Sequence, residues 1–217
     1  MTHYVPVMLK LEGRRCVIIG GGPVAERKAV SLIEAGAVVI VVAPAATNRL
    51  QSDYSAGRLI WERRNYREGD LDGAFLVYAA TDQPNINDAV VREAERLGIP
   101  VNHTGDGGKG SFITPSIVRR GGLVLAVSTS GAGPVASRML SREIDERYGS
   151  EYEIYVDFLS LARSVVKGRV QDAGLRAKLY KSLADMDILT SIREGRFQPW
   201  SKEELDAWID LHGRNKG

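Results

Sequence analysis

Cys16-Val17-Ile18-Ile19-Gly20-Gly21-Gly22-Pro23-Val24-Ala25 is the stretch on which the fold turns. An apolar, β-branched run predicts a short strand. Three glycines then predict a tight turn, and the residues beyond it carry helical periodicity. Gly20, Gly22 and Ala25 satisfy the pattern G-x-G-x-x-A in the context it needs, with a strand before it and a helix after it. Each small residue has a physical task. Gly20 permits the turn, Gly22 lets the backbone approach a pyrophosphate, and Ala25 lets helix and strand lie close together. Gly21, Pro23 and Val24 complete the turn. The free N–H groups and positive dipole end of the helix start would hold the phosphates.

Outward from this turn, strands are expected at residues 16–19, 38–42, 59–62, 75–79 and 100–102. Helices are expected at 24–35, near 49–56 and at 85–97, the last ended by Gly98. Such alternation predicts a Rossmann-type α/β fold, a doubly wound parallel sheet with helices on both faces, over residues 1–110. The continuous Val38-Val39-Ile40-Val41-Val42 run fits a strand covered on both sides.

After Gly105 the texture changes. Ser111-Phe112-Ile113-Thr114-Pro115 and residues 123–129 read as two more strands, separated by Arg119-Arg120-Gly121-Gly122. Pro134 then opens a helix to about Arg147. Residues 111–150 are therefore expected to form a small α+β region, and 151–217 a helical domain. In the latter, helical patterns cover 154–167, 172–184 and 187–194, and Ser201 with Glu204 forms a capping box for a last helix. Its aromatic residues, among them Tyr155, Phe158, Trp200 and Trp208, are expected in the core or an interface.

The 217 residues are 44% hydrophobic and 26% charged, as in an ordinary soluble domain. A net charge of +2 without a basic tract argues against nucleic acid. Cys16 is the one cysteine, so no intrachain disulfide forms, and its apolar surroundings predict a buried small hydrophobe. No apolar run approaches the ~20 residues that span a membrane. The N-terminus lacks the layout of a signal peptide. A cytoplasmic protein without membrane contact is expected.

Ligands of open α/β sheets bind beyond the carboxyl ends of the strands. After the second strand stand Ala43-Pro44-Ala45-Ala46, with no acidic residue for an adenine ribose, and Arg49 comes only later. Pro44 and Ala45 are cofactor candidates, but the residues themselves leave NAD and NADP open. At the end of the fourth strand, Ala79-Ala80-Thr81-Asp82, Thr81 is expected to face the dinucleotide. Asp82 either joins it or caps the next helix, and capping is favoured.

Several segments taken together resemble one family, the precorrin-2 dehydrogenases of siroheme synthesis, some of which also act as sirohydrochlorin ferrochelatases. They are residues 17–28, Glu34-Ala35-Gly36-Ala37, Val41-Val42-Ala43-Pro44, Ala79-Ala80-Thr81-Asp82, Ser111-Phe112-Ile113-Thr114-Pro115-Ser116-Ile117 and Leu125-Ala126-Val127-Ser128-Thr129-Ser130-Gly131. The resemblance runs from about Val5 to Arg147. It implies NAD as cofactor and a tetrapyrrole substrate, precorrin-2, oxidised to sirohydrochlorin. It also implies a homodimer that exchanges elements through the central region and forms its active sites between subunits.

Such an oxidation needs a base, and the family places an aspartate after the fifth strand. Here the segment reads Val101-Asn102-His103-Thr104-Gly105-Asp106, so Gly105 falls on the family aspartate and Asp106 comes one place later. Asp106 and His103 are the candidate catalytic residues. Ser111, the loop Thr129-Ser130-Gly131 before the helix at Pro134, and Arg138 are candidates for holding substrate carboxylates. No H-x-x-H, H-E-x-x-H or paired-cysteine spacing argues for a tight metal site. Two further readings stay open: a dehydrogenase that is also a ferrochelatase, and a non-catalytic NAD-binding sensor.

Overall fold

The computed structural model describes residues 3–130 and 133–213. The chain divides into two compact units, Met1–Thr114 and Pro115–Gly217. In the first, strands β1 (Arg15–Ile19), β2 (Val38–Val42), β3 (Ile60–Glu62), β4 (Leu76–Ala79) and β5 (Val101–His103) form one sheet in the order β3-β2-β1-β4-β5. Every pairing is parallel. Helices α1 (Pro23–Glu34), α2 (Asn48–Ser55) and α3 (Pro84–Leu97) connect them. This is the doubly wound sheet expected from the alternation of patterns, and each boundary lies within one residue of its expected place.

Strand composition follows from burial on both faces. Cys16, Ile18, Val39 and Val41 join Ala25, Ala29 and Leu32 of α1 and Leu50 of α2 in one core. The alternate residues Val17, Ile19, Ile40 and Val42 pack with Val90, Val91 and Ala94 of α3 in a second. The thiol of Cys16 is fully buried, which pushes its pKa up to about 11 and makes it inert packing. Helix α3 stops at Gly98, which takes the left-handed conformation at φ 68°.

Strands β6 (Ser116–Arg120) and β7 (Leu123–Val127) of the second unit form an antiparallel hairpin. This corrects the expectation of a strand at Ser111-Phe112-Ile113-Thr114-Pro115. That segment runs beside β5 without forming a ladder. Ser111 N donates to Val101 O at 2.8 Å, and the Asn102 side-chain amide donates to Phe112 O at 2.8 Å. The ladder begins only after Pro115, which has no N–H to contribute. Arg119 and Arg120 therefore pair with Val124 and Leu123, and Gly121-Gly122 alone make the turn.

Helix α4 (Pro134–Arg147) follows, then α5 (Glu151–Arg169), α6 (Ala173–Ala184), α7 (Ile188–Arg193) and α8 (Lys202–Gly213). Phe158, Ala162, Val166, Leu179, Leu183, Leu205 and Trp208 form the helical core, with Tyr155, Phe197 and Trp200 packed against it. The capping box is reciprocal: Ser201 N donates to Glu204 Oε2 at 2.7 Å, and Glu204 N to Ser201 Oγ at 3.2 Å. Among the described residues no helix is long and apolar enough to cross a membrane.

Asp53 of α2 is 1% exposed and meets the guanidinium groups of Arg58 and Arg49. Burial works to raise its pKa, but the hydrogen bonds from Arg58 and Arg49 outweigh burial and hold the carboxyl below its ordinary value. A depressed carboxyl contributes stability that is present above the unfolded pKa and lost as pH falls through the folded one. Asp53→Asn is therefore expected to cost roughly 1–3 kcal/mol at neutral pH. Urea titrations at neutral and acidic pH check this: the gap between wild type and variant narrows in acid.

Candidate functional site

The order of strands reverses between β1 and β4, and this is where the sheet opens for a ligand. A Cβ on Gly20 (φ 128°) would overlap the carbonyl of Ala80, and one on Gly21 would overlap that of Ala45. These two glycines answer to the protein's own backbone. Gly22 does not, because a Cβ there meets nothing within 4 Å. The open side of Gly22 is at the start of α1, where no side chain caps the helix and Pro23 holds the first position. An uncapped helix start beside a glycine with free space suits a pyrophosphate, held by backbone N–H groups such as that of Val24. Pro44 and Ala45 lie exposed after β2, where Thr47 N donates to Gly21 O at 3.0 Å.

The end of β4 departs from expectation. Asp82 is exposed and does not cap α3; the cap position belongs to Gln83, with no side-chain cap. Thr81 and Asn87 instead build the turn that leads into α3. Asn87 Oδ1 accepts from Thr81 N at 3.1 Å and from its hydroxyl at 2.8 Å, while Asn87 Nδ2 donates to Thr81 O at 2.9 Å. The Thr81 hydroxyl in turn accepts from Gln83 N at 3.1 Å. Thr81 thus stands at the carboxyl edge as expected, with its hydroxyl committed to shaping the turn. Asn87, six positions on, carried no sequence signal.

Residues 104–110 form a loop beyond β5. It leaves with Thr104, whose N and Oγ1 both donate to Ala79 O, at 3.0 and 3.1 Å. It returns at Gly110, where a Cβ would come within 2.8 Å of Val101 O and 2.9 Å of His103 N. The Ser111 hydroxyl is spent on Val101, accepting from its N at 2.8 Å. His103 is buried and Asp106 exposed, and the loop joins them: His103 Nδ1 accepts from Gly105 N at 3.2 Å and Asp106 N at 2.8 Å. Asp106 Oδ1 accepts from Gly108 N at 3.0 Å. Lys109 Nζ reaches Asp88 Oδ1 at 2.8 Å; that hydrogen bond lowers the Asp88 pKa and raises that of Lys109. Ala79 therefore carries the β5 loop while Ala80 abuts the glycine turn.

Sequence reasoning also missed Lys28. Burial, aided by Arg27, lowers its pKa, and its Nζ lies 5.3 Å from the centre of the Tyr78 ring. The Tyr78 hydroxyl lies 3.3 Å from Thr114 Oγ1.

In the second unit, Thr129 Oγ1 is 2.9 Å from Ser137 Oγ, linking the loop after β7 to the first turn of α4. Ser130 adopts φ 48°, and its N donates to Ser128 Oγ at 3.2 Å. Arg138 is exposed, Arg120 is paired with Asp145 at 2.8 Å, and Gly131 lies outside the described residues. No group of three or more His, Cys, Asp or Glu side chains that could hold a metal occurs among the described residues.

A parallel sheet with an uncapped glycine turn at its switch point defines a dinucleotide-binding protein. A family model described as "Putative NAD(P)-binding" matches residues 7–116. Siroheme synthase of Photorhabdus laumondii is 34% identical over 212 residues, which are 97% of this chain and 45% of that protein. Siroheme synthase of Methylobacillus flagellatus is 40% identical over 165 residues, 76% of this chain and 35% of that one. The chain thus spans less than half the length of these relatives. Among solved structures, SirC, a precorrin-2 dehydrogenase, superposes with a TM-score of 0.77 at 25% identity, covering 96% of this chain and all of that one. The chain belongs to this NAD(P)-binding family, in the branch formed by the N-terminal part of siroheme synthases.

The two kinds of glycine are separable by experiment. Gly20→Ala should destabilise the fold by roughly 1–3 kcal/mol or more. Gly22→Ala, at φ −82° and ψ −175°, should leave stability within about 0.5 kcal/mol. It should nonetheless weaken NAD⁺ by on the order of tenfold, about 1.4 kcal/mol. Calorimetric titration and thermal melts of both variants check this, and an unchanged NAD⁺ affinity for Gly22→Ala would put the phosphates elsewhere.

Proposed function

We propose that the chain is an NAD-dependent precorrin-2 dehydrogenase, a cytoplasmic homodimer that forms sirohydrochlorin in siroheme biosynthesis. The observation that carries this is the pairing of two features at one sheet edge. The phosphate-holding turn abuts Ala80, and the loop bearing Asp106 hangs from Ala79. The full-length match to a precorrin-2 dehydrogenase supports the substrate.

The nicotinamide ring, when bound, supplies the two-electron acceptor. The chain's residues do the rest. The start of α1, with Gly20, Gly21, Gly22, Pro23 and Val24, binds the pyrophosphate, and Pro44 and Ala45 border the adenosine end. Asp106 takes the proton that leaves the substrate carbon. Its Oδ1 is steadied by Gly108 N, while Oδ2 has no hydrogen bond among the described residues. Arg138 and the hydroxyls of Thr129 and Ser130 serve the substrate's carboxylates. Self-association through residues 111–150 is supported by the apolar side chains exposed there, Ile117 at 49%, Val135 at 60% and Met139 at 69%.

Anaerobic precorrin-2 and NAD⁺, followed by NADH absorbance, test the reading. Wild type turns over, and Asp106→Asn loses on the order of 10²- to 10⁴-fold in kcat with NAD⁺ affinity retained. Full activity in the variant would remove Asp106 as the base. Absence of turnover in a wild type that still binds NAD⁺ would overturn the dehydrogenase and favour a non-catalytic sensor. Light scattering across a concentration series tests the dimer, which Met139→Glu is expected to weaken.

A further inference from the structure

We propose that His103 is a positioning residue, not the base: its neutral ring holds the Asp106 loop by two backbone amides, and Asp88 selects the tautomer that can do so. The inference rests on Asp106 as proton acceptor for its catalytic consequence, but its structural part stands alone.

A ring nitrogen that accepts a hydrogen bond carries no proton. His103 Nδ1 accepts from both Gly105 N and Asp106 N, so in the neutral ring the proton is on Nε2. Nε2 is buried and has no hydrogen-bond partner. Asp88 Oδ1 on α3 stands 3.6 Å from it, the right charge to draw an N–H toward α3. The same oxygen is held by Lys109 at 2.8 Å, from the far end of the loop. One carboxylate on α3 thus faces both ends of the loop, beside His103 where it leaves β5 and hydrogen-bonded to Lys109 before it returns.

The composition of the loop makes such a clamp necessary. Residues 105, 107, 108 and 110 are all glycine, so the free loop has many conformations and no preference for the one that presents Asp106. His103 has no capacity left for proton abstraction at Nδ1 while it holds the loop. A ring that took the substrate's proton there would have to release Asp106 first. The chemistry and the positioning are therefore divided between two residues three apart in sequence.

The test compares His103→Leu, which removes the acceptor, with His103→Asn, whose side-chain oxygen can take the place of Nδ1. Both are made in the full chain, with thermal melts to show that they fold. In the Leu variant kcat is expected to fall by on the order of 10²-fold, with NAD⁺ affinity within about twofold of wild type. The amides of Gly105 and Asp106 should lose hydrogen-exchange protection. The Asn variant should recover most of both. Nitrogen NMR of the wild-type ring should show the proton on Nε2, and Asp88→Asn should turn that single tautomer into a mixture. A Leu variant with wild-type kcat, an Asn variant no better than Leu, or a proton found on Nδ1 would overturn the proposal. If the wild type itself turns nothing over, the dehydrogenase reading has failed. Exchange protection and tautomer then still decide whether His103 holds the loop.

Discussion

Three strand ends meet in backbone contact at the carboxyl edge of the sheet, and two glycines make the meeting possible. Gly20 presses against the carbonyl of Ala80 after β4, and Gly21 against that of Ala45 after β2. Any side chain at either position would force β1 away from a neighbour. The contact brings the start of α1 over the reversal of strand order, with Ala25 and Ala29 letting the helix lie directly on the sheet. Because the turn is built from backbone, it offers backbone N–H groups to a ligand, and because Gly22 faces open space, a phosphate can approach them.

Around this constraint the buried polar side chains of the first unit share one task, which is to tie a loop to a regular element. They are Asp53, Asn87, Glu93, Asn102 and His103. Asp53 draws in Arg58, and Asn87 clasps Thr81. Glu93 accepts from the Tyr66 hydroxyl and from Gly69 N at 2.8 Å, while burial together with the Glu93 hydrogen bond pushes the Tyr66 pKa up. Asn102 holds Phe112, and His103 holds Gly105 and Asp106. Buried polar groups are costly unless satisfied, so each such bond specifies one loop geometry over others. The cores themselves are mostly Val, Ile, Leu and Ala, whose contacts have no such direction.

The regular part of this arrangement was legible because its causes are local. Continuous apolar runs follow from burial on two faces, helical periodicity from one buried stripe, and the end of α3 from a glycine at positive φ. The misreadings arose where the deciding partner is distant. Ser111-Phe112-Ile113-Thr114 has the alternating, β-branched look of a strand, and what denies it a ladder is the Asn102 side chain, Val101 and the proline that follows. Asp82 is a good capping residue in a suitable place, but Asn87 reaches back from α3 and forms the turn around Thr81. No local rule links positions 81 and 87 in that way.

The sequence by itself determined the doubly wound sheet, the glycine turn and its ligand class, since strand, turn and helix signals act over a few residues and must agree. It also placed His103 and Asp106 close together at a strand end. Only the tertiary structure decided what each of them contacts there. A ring nitrogen's role depends on the groups around it: Nδ1 of His103 accepts from the amides of Gly105 and Asp106, and Nε2 faces the carboxylate of Asp88 on a helix fifteen positions earlier in the chain. Hydrogen bonding is directional and short in range, so it is settled only once the distant elements have packed.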